Sequence, residues 1–409
     1  MVRHVGMGVW MVLASCAALR AQPVPGPQDQ PPNDRFDPGR LKSTLVVPET
    51  RVERFRHPVT DAHSHAYAET QAAVADWVSL MDRVGVRTSF ILSGASGARF
   101  REVSAKYAGA YPGRFVMFAG FDKEGIEAAD YGPRLRRRLR EDVAAGAAGL
   151  GELTDKGLGL VRAGEPTATA ASGAGLTPPG AAKRPRQMSG GEFTSPPRKK
   201  RAGGMGGAPL APPIYIDDLR FDPLWDEAAA LGVPVFIHIA EPAAFYEPAD
   251  ERNDLRRSAN WSLHGKGTPG YAEMVVKFER VLDRHPRTRF VSVHAFNLAN
   301  DLGALGRLLD RHPNVDVDFA ARMWELARQP FSARRFFSKY ADRILFGTDN
   351  GPDAAMYLAH VRQMETQDEW FWPADAEWWR GYGMDLPDEI LKKVYSGNAK
   401  RLLRGRLDK

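Results

Sequence analysis

Residues 60–69 read TDAHSHAYAE, so His63 and His65 stand two apart, beside Asp61. On a strand, side chains at i and i+2 share a face. Two imidazoles placed that way converge on one cation, because histidine nitrogen is the commonest ligand for zinc-like metals. Alone, the pair is also what a surface loop yields by chance, so more ligands have to be found.

The chain has ten histidines. His238 lies in the apolar run VPVFIHIAEP, His294 in TRFVSVHAFN, and Asp349 in ILFGTDNG. Each has a plain alternative: a lone histidine in FIHIAEP can be a satisfied core residue, and Asp349 can cap a turn. Their shared position, at the end of an apolar run of strand length, favours a common site. His285 and His312 each sit in a repeated DRHP, where proline stops a helix and the imidazole complements its dipole. Those two are read as structural. His4, His57 and His360 fall near the N-terminus, at a strand start and on a helix, and are not ligand candidates.

Elements must bring these residues together. At 409 residues, 43% hydrophobic and 26% charged, the chain can bury the core of one large barrel. From residue 57, short apolar runs alternate with amphipathic segments, the pattern of β-α units on a parallel sheet. Strands are expected at 57–65 and in runs from 87, 114, 147, 233, 288, 315 and 344, with helical spacing in ADWVSLMDRVG, YAEMVVKFERVLDRH and DLGALGRLLDRH between them. Eight units predict an α/β fold, a (β/α)8 TIM barrel, which takes ~250 residues plus insertions. A doubly wound sheet competes but does not explain eight. Barrel chemistry gathers at strand C-termini, so His63, His65, His238, His294 and Asp349 are expected at one mouth.

The order Asp-x-His-x-His, two later histidines, Thr-Asp and the ending YSGNAKRLL (395–403) resembles the amidohydrolase superfamily, in the branch related to aminocarboxymuconate-semialdehyde decarboxylase, over about residues 57–404. The resemblance implies that His63, His65, His238 and Asp349 hold one divalent metal, usually zinc, and that His294 acts on the activated water or the substrate. The residue types agree with those roles. Three neutral imidazoles and a carboxylate leave room for a water whose pKa falls toward neutrality. Asp349 can take its proton, and an imidazole titrating near neutrality serves as acid or base. Manganese, iron or cobalt would fit the same ligands. Superfamily members often carry a bridging lysine or glutamate on the fourth strand. Here GLGELTDKG supplies Glu152, which we expect to bind substrate or brace the ligands rather than hold a second ion. Asp61 is assigned the same bracing role. Arg322, after the seventh strand, is a candidate clamp for a substrate carboxylate, with a surface salt bridge as the alternative.

The expected function is a metal-dependent hydrolase that attacks a carbonyl, ester, lactone or amide-type bond of a small molecule. A non-oxidative decarboxylase of an aromatic or unsaturated acid is the alternative, and a non-catalytic binding barrel is disfavoured by the intact ligand set. The resemblance also implies a homodimer.

The remaining segments concern location. Arg3 and His4 precede an apolar run at 5–14, of signal-peptide length, so residues 1–21 read as an export signal. LASC at 13–16 resembles a bacterial lipobox that would lipidate Cys16, with cleavage after Ala21 as the alternative. Either way the protein is expected outside the bacterial cytoplasm, periplasmic or lipid-anchored at the envelope, touching membrane only through that anchor. With Cys16 the sole cysteine, no internal disulfide forms. Residues 22–50 read as a proline-rich tether to a barrel spanning 51–409.

A basic low-complexity insertion after the fourth strand, at 163–213, is expected to be disordered. It holds seven Lys/Arg and two Glu, hence +5 of the formal net charge of +6, so the remainder gives no reason to expect a nucleic-acid partner. Its KRPR and RKKR clusters imitate a nuclear localisation signal, a coincidence given the leader. The tryptophan-dense stretch at 368–383 is expected to cover the mouth or form a subunit contact.

Overall fold

Strands flanked by helices bury both faces of their sheet, and eight in sequence do so by curling the sheet on itself. The computed structural model describes residues 44–162, 212–255, 261–374 and 379–404. Its strands are β1 (Val59–Ser64), β2 (Val86–Leu92), β3 (Phe115–Ala119), β4 (Gly149–Asp155), β5 (Val235–Ile239), β6 (Phe290–Ser292), β7 (Val315–Asp318) and β8 (Ile344–Leu345). They pair in parallel, in chain order, as one eight-stranded sheet. The ring is closed past the end of β8, where Ala62 N–H donates to Phe346 O at 2.8 Å and Asp349 N–H donates to His63 O at 2.7 Å. The expected TIM barrel is the fold.

Helices α1 (Gln71–Val84), α2 (Gly97–Ser104), α3 (Tyr131–Ala144), α4 (Asp222–Leu231), α5 (Tyr271–Arg284), α6 (Leu302–Arg311), α7 (Pro330–Lys339) and α8 (Ala354–Glu365) surround it. In α1, the Thr70 hydroxyl caps Ala73 N–H, while Val74, Trp77, Leu80, Met81 and Val84 recur at helical spacing and are buried. Gly85, at φ 90°, ends it in a left-handed turn. The DRHP histidines lie at the ends of α5 and α6 and bind the preceding helix. His285 contacts Asp222 at 2.9 Å and Asp226 at 3.1 Å on α4, and His312 contacts Glu279 at 3.0 Å and Asp283 at 3.4 Å on α5. Both are structural, as expected.

Inside the barrel, Phe118 packs against Phe90 at a tilt and against Phe236 edge to face, with ring centroids 5.1 and 4.9 Å apart, beside Ala62, Leu92, Val291 and Leu345. The short helix Asn398–Leu402, part of YSGNAKRLL, adds Ala399, Leu402 and Leu403 to this cluster. Asn398 ties it down by donating to the carbonyls of Ala341 and Ile344, each at 2.7 Å. Apolar packing thus fills the barrel interior, which leaves the mouth to polar groups.

Two-residue strands Val161–Arg162 and Pro213–Ile214 pair antiparallel at the ends of the insertion. Asp155 anchors their base by accepting N–H groups of Gly157, Gly159 and Ile216 at 3.0–3.2 Å. The expected disorder covers 163–213, but Pro213 instead pairs in a strand; residues 163–211 lie outside the described residues, as do the signal at 1–21 with Cys16 and the tether up to residue 43. Tether residue Thr50 is fixed, its N–H and hydroxyl both donating to Asp368. In the tryptophan-rich stretch Phe371 pairs with Gly381, and Tyr382 N–H donates to Ala327 O on the short helix Met323–Ala327. Residues 375–378 of that stretch lie outside the described residues. Among the described residues, no helix is long and apolar enough to cross a membrane.

Candidate metal centre

His63 and His65 project from the end of β1 with ring centroids 5.4 Å apart. Close approach of the closing strand requires a glycine at 347, where a Cβ would fall 2.8 Å from that of His63. Asp61 keeps the outer face of β1, opposite Ala62 of the barrel interior, and the pairing with β2 shifts register only after it, between Asp61 and Ser64. Its carboxylate accepts Thr348 N–H at 3.1 Å, the Thr348 hydroxyl at 2.8 Å and the Tyr357 hydroxyl at 3.0 Å. Asp61 therefore seams β1 to the chain after β8 and to α8, and reaches the histidines only through His63 N–H at 3.3 Å.

The other groups meet these histidines. Asp349 Oδ1 lies 3.1 Å from His65 Nε2 and 3.7 Å from His63 Nε2. Glu152 takes a central place, 2.8 Å from His238 Nδ1, 3.5 Å from His65 Nε2 and 3.7 Å from His294 Nε2. The donor atoms form three overlapping triples among the described residues, His63, His65, Asp349; Glu152, His238, His294; and His63, His294, Asp318, each within 4.8 Å. All five histidine and aspartate candidates named from sequence thus share one mouth with Glu152.

His294 does not end a strand, as the apolar run TRFVSVHAFN suggested. β6 stops at Ser292, and His294, Ala295, Phe296 and Asn297 turn through the left-handed region at φ 53–56°. Such conformations cost roughly 1–2 kcal/mol per non-glycine residue, so outside groups must hold them. Tyr271 donates to Phe296 O at 2.7 Å, and the Asn297 amide donates to Ile239 O and Ala240 O at 3.1 and 3.2 Å. Arg322 donates from Nε to Asn297 Oδ1 at 3.0 Å and from Nη1 to Ala321 O at 2.7 Å. The guanidinium is thereby engaged in bracing the turn that carries His294.

Sequence reading missed four neighbours. Asp318 Oδ2 lies 3.0 Å from His63 Nδ1. The Tyr67 hydroxyl donates to Asp349 at 3.1 Å (Oδ1) and 3.0 Å (O). Glu241 lies 3.8 Å from His238 Nε2 and pairs with Lys156 at 2.5 Å. Asp318 and Glu241 did carry a signal, as acidic residues ending the buried runs VDVD and FIHIAE.

The electrostatics suit a cation. Burial works against a charged His63, yet Asp318 and Asp349 outweigh it and hold the imidazole up at about 10. Burial likewise opposes charge on Glu152 and Asp349, but the facing histidines keep both carboxyls well below the ordinary range. His294 is pushed down, first by burial and then by His238. Nε2 of His63 and of His238 are buried without a hydrogen-bond partner. Buried polar atoms ordinarily have partners, so orphaned imidazole nitrogens among carboxylates fit a divalent metal.

The amidohydrolase family model matches residues 49–405, and the chain belongs to that family. Among solved structures it is similar to 2,6-dihydroxybenzoate decarboxylase from Rhizobium, at 18% identity over 86% of this chain and 100% of that one, TM-score 0.46. It is also similar to 5-carboxyvanillate decarboxylase from Novosphingobium aromaticivorans in complex with manganese, at 16% identity over 80% and 79%, TM-score 0.43. A third is 4-oxalomesaconate hydratase from Rhodopseudomonas palustris, at 13% over 86% and 96%, TM-score 0.45. No curated protein matches the chain.

Proposed function

We propose that this protein is a metal-dependent hydrolase of a small molecule with a carbonyl, ester, lactone or amide-type bond. The observation that carries the reading is the meeting of His63, His65, His238 and Asp349 with His294 and Glu152 in one half-buried mouth. A divalent ion there, zinc by ligand chemistry with manganese, iron or cobalt as alternatives, would activate water and polarise the bond under attack. The chain's own groups do the rest. Tyr67 holds the Asp349 carboxylate from one side, and that carboxylate would accept the proton of an activated water. His294 Nδ1 faces Ala320 O at 2.7 Å, so its proton sits there and Nε2 carries a lone pair. A neutral imidazole presenting a lone pair is suited to accept a proton.

That feature favours hydrolysis over the alternative of non-oxidative decarboxylation, in which a carbon must receive a proton. A second reading of the metal content is favoured by the grouping of Glu152, His238 and His294 as a complete donor triple, which would hold a second ion. Export, with or without lipid on Cys16, is proposed from the sequence alone and is tested by the mass of the mature chain. A homodimer is proposed on family resemblance and is tested by sedimentation.

The deciding experiment is elemental analysis of the purified protein beside His63→Ala and Asp349→Ala. About one equivalent of divalent metal, lost in both variants, supports the principal reading; two equivalents support the second, and none in the wild type rejects both. Product analysis then separates the reactions, since release of carbon dioxide marks the decarboxylase.

A further inference from the structure

One carboxylate joins the two histidine-bearing parts of the site. Asp318 ends β7 and is fully buried. Its Oδ2 lies 3.0 Å from His63 Nδ1, while Oδ1 accepts His294 N–H at 2.9 Å and Ala320 N–H at 3.1 Å. The carbonyl of Ala320 then faces His294 Nδ1. Asp318 thus reaches one imidazole directly and the other both at its backbone and through a single intervening residue.

The chemistry of these contacts assigns protons. An ionised carboxylate and a carbonyl oxygen only accept, so the ring nitrogen facing each is the N–H. In the neutral form that a cation would bind, both histidines are then Nδ1–H tautomers with the lone pair on Nε2. The rings stand with centroids 5.0 Å apart. His65 follows the same rule independently, its Nδ1 facing Leu92 O at 2.8 Å.

We infer that Asp318 is a positioning residue that fixes ring orientation and tautomer at His63 and His294 together, so that both Nε2 lone pairs face one centre. The inference rests on the metal-site reading above. A merely structural Asp318 would hold the left-handed turn and nothing more. Tyr271 and Asn297 also hold that turn, but among the described residues Asp318 alone of the three contacts a site imidazole by side chain.

Asp318→Asn separates the two roles. The amide oxygen can keep both backbone N–H bonds, which turns the amide N–H toward His63 Nδ1. That nitrogen must then accept, and the ring proton moves to Nε2, the atom offered to metal. The zinc dissociation constant of the full chain, measured by chelator competition, is expected to rise roughly 10–100-fold in Asp318→Asn while the metal-free variant still unfolds cooperatively. Tyr271→Phe, which loses a turn bond without touching His63, is expected to unfold earlier yet keep zinc affinity. Unchanged affinity in folded Asp318→Asn overturns the inference and leaves the metal site standing; wild-type protein that binds none of zinc, manganese, iron or cobalt overturns both. If Asp318→Asn does not fold, nitrogen NMR of zinc-loaded wild type decides. A proton on Nδ1 of both His63 and His294 supports the assignment, and a proton on Nε2 of either overturns it.

Discussion

At the scale of single residues, the site sets carboxylates against imidazoles in a combination that fits a divalent cation. Glu152, Asp318, Asp349 and Glu241 surround four imidazoles, of which His63, His238 and His294 are buried and His65 is partly exposed. Glu152 is the most informative of them, because its carboxylate contacts His238 of its own donor triple and reaches His65 of another. Glu152→Gln keeps the shape and removes the charge. If one ion is held, stoichiometry by elemental analysis stays near one while turnover falls about 100-fold; if two are held, stoichiometry drops by one.

At the scale of elements, the short helix Met323–Ala327 carries a cost that pH exposes. Glu325 is buried in it, and Oε2 lacks a hydrogen-bond partner although Arg322 lies 3.9 Å away. Burial outweighs the pull of Arg322 and Arg328 and raises its carboxyl from 4.5 to about 7. A group whose pKa is raised on folding contributes stability below its unfolded value and loses it as pH rises through the folded value. Glu325→Gln should therefore match wild type near pH 4 and exceed it at pH 8 by on the order of 3 kcal/mol in urea unfolding. A constant difference across that range would show that Glu325 does not titrate as its surroundings imply.

For the whole molecule, the barrel and its insertion are separable by construction. Arg162 and Pro213 stand opposite each other in an antiparallel pair, and Asp155 fastens the base of that ribbon. A two-residue Asn-Gly turn in place of the chain between them satisfies hairpin geometry. The shortened protein should keep its metal content and gain at most about 3 kcal/mol from the smaller loop. Loss of metal binding on this replacement, measured by elemental analysis, would show that the insertion takes part in the site.

The sequence by itself determined the barrel, because eight apolar runs separated by amphipathic segments have few other ways to bury both faces. It also determined the mouth as the place of chemistry, since His63, His65, His238 and Asp349 stand near the ends of those runs. Tertiary structure decided the rest. Asp61 stands beside two ligand candidates in sequence, yet its carboxylate faces Thr348 and Tyr357, and a register shift separates it from His63. The turn that carries His294, and the engagement of Arg322 in holding it, depend on partners from β5, α5 and the loop after β7. Asp318 lies 255 residues from the histidine it orients. Period and composition encode which face a residue takes, but a hydrogen bond between distant strands exists only once closure has fixed which strands are neighbours.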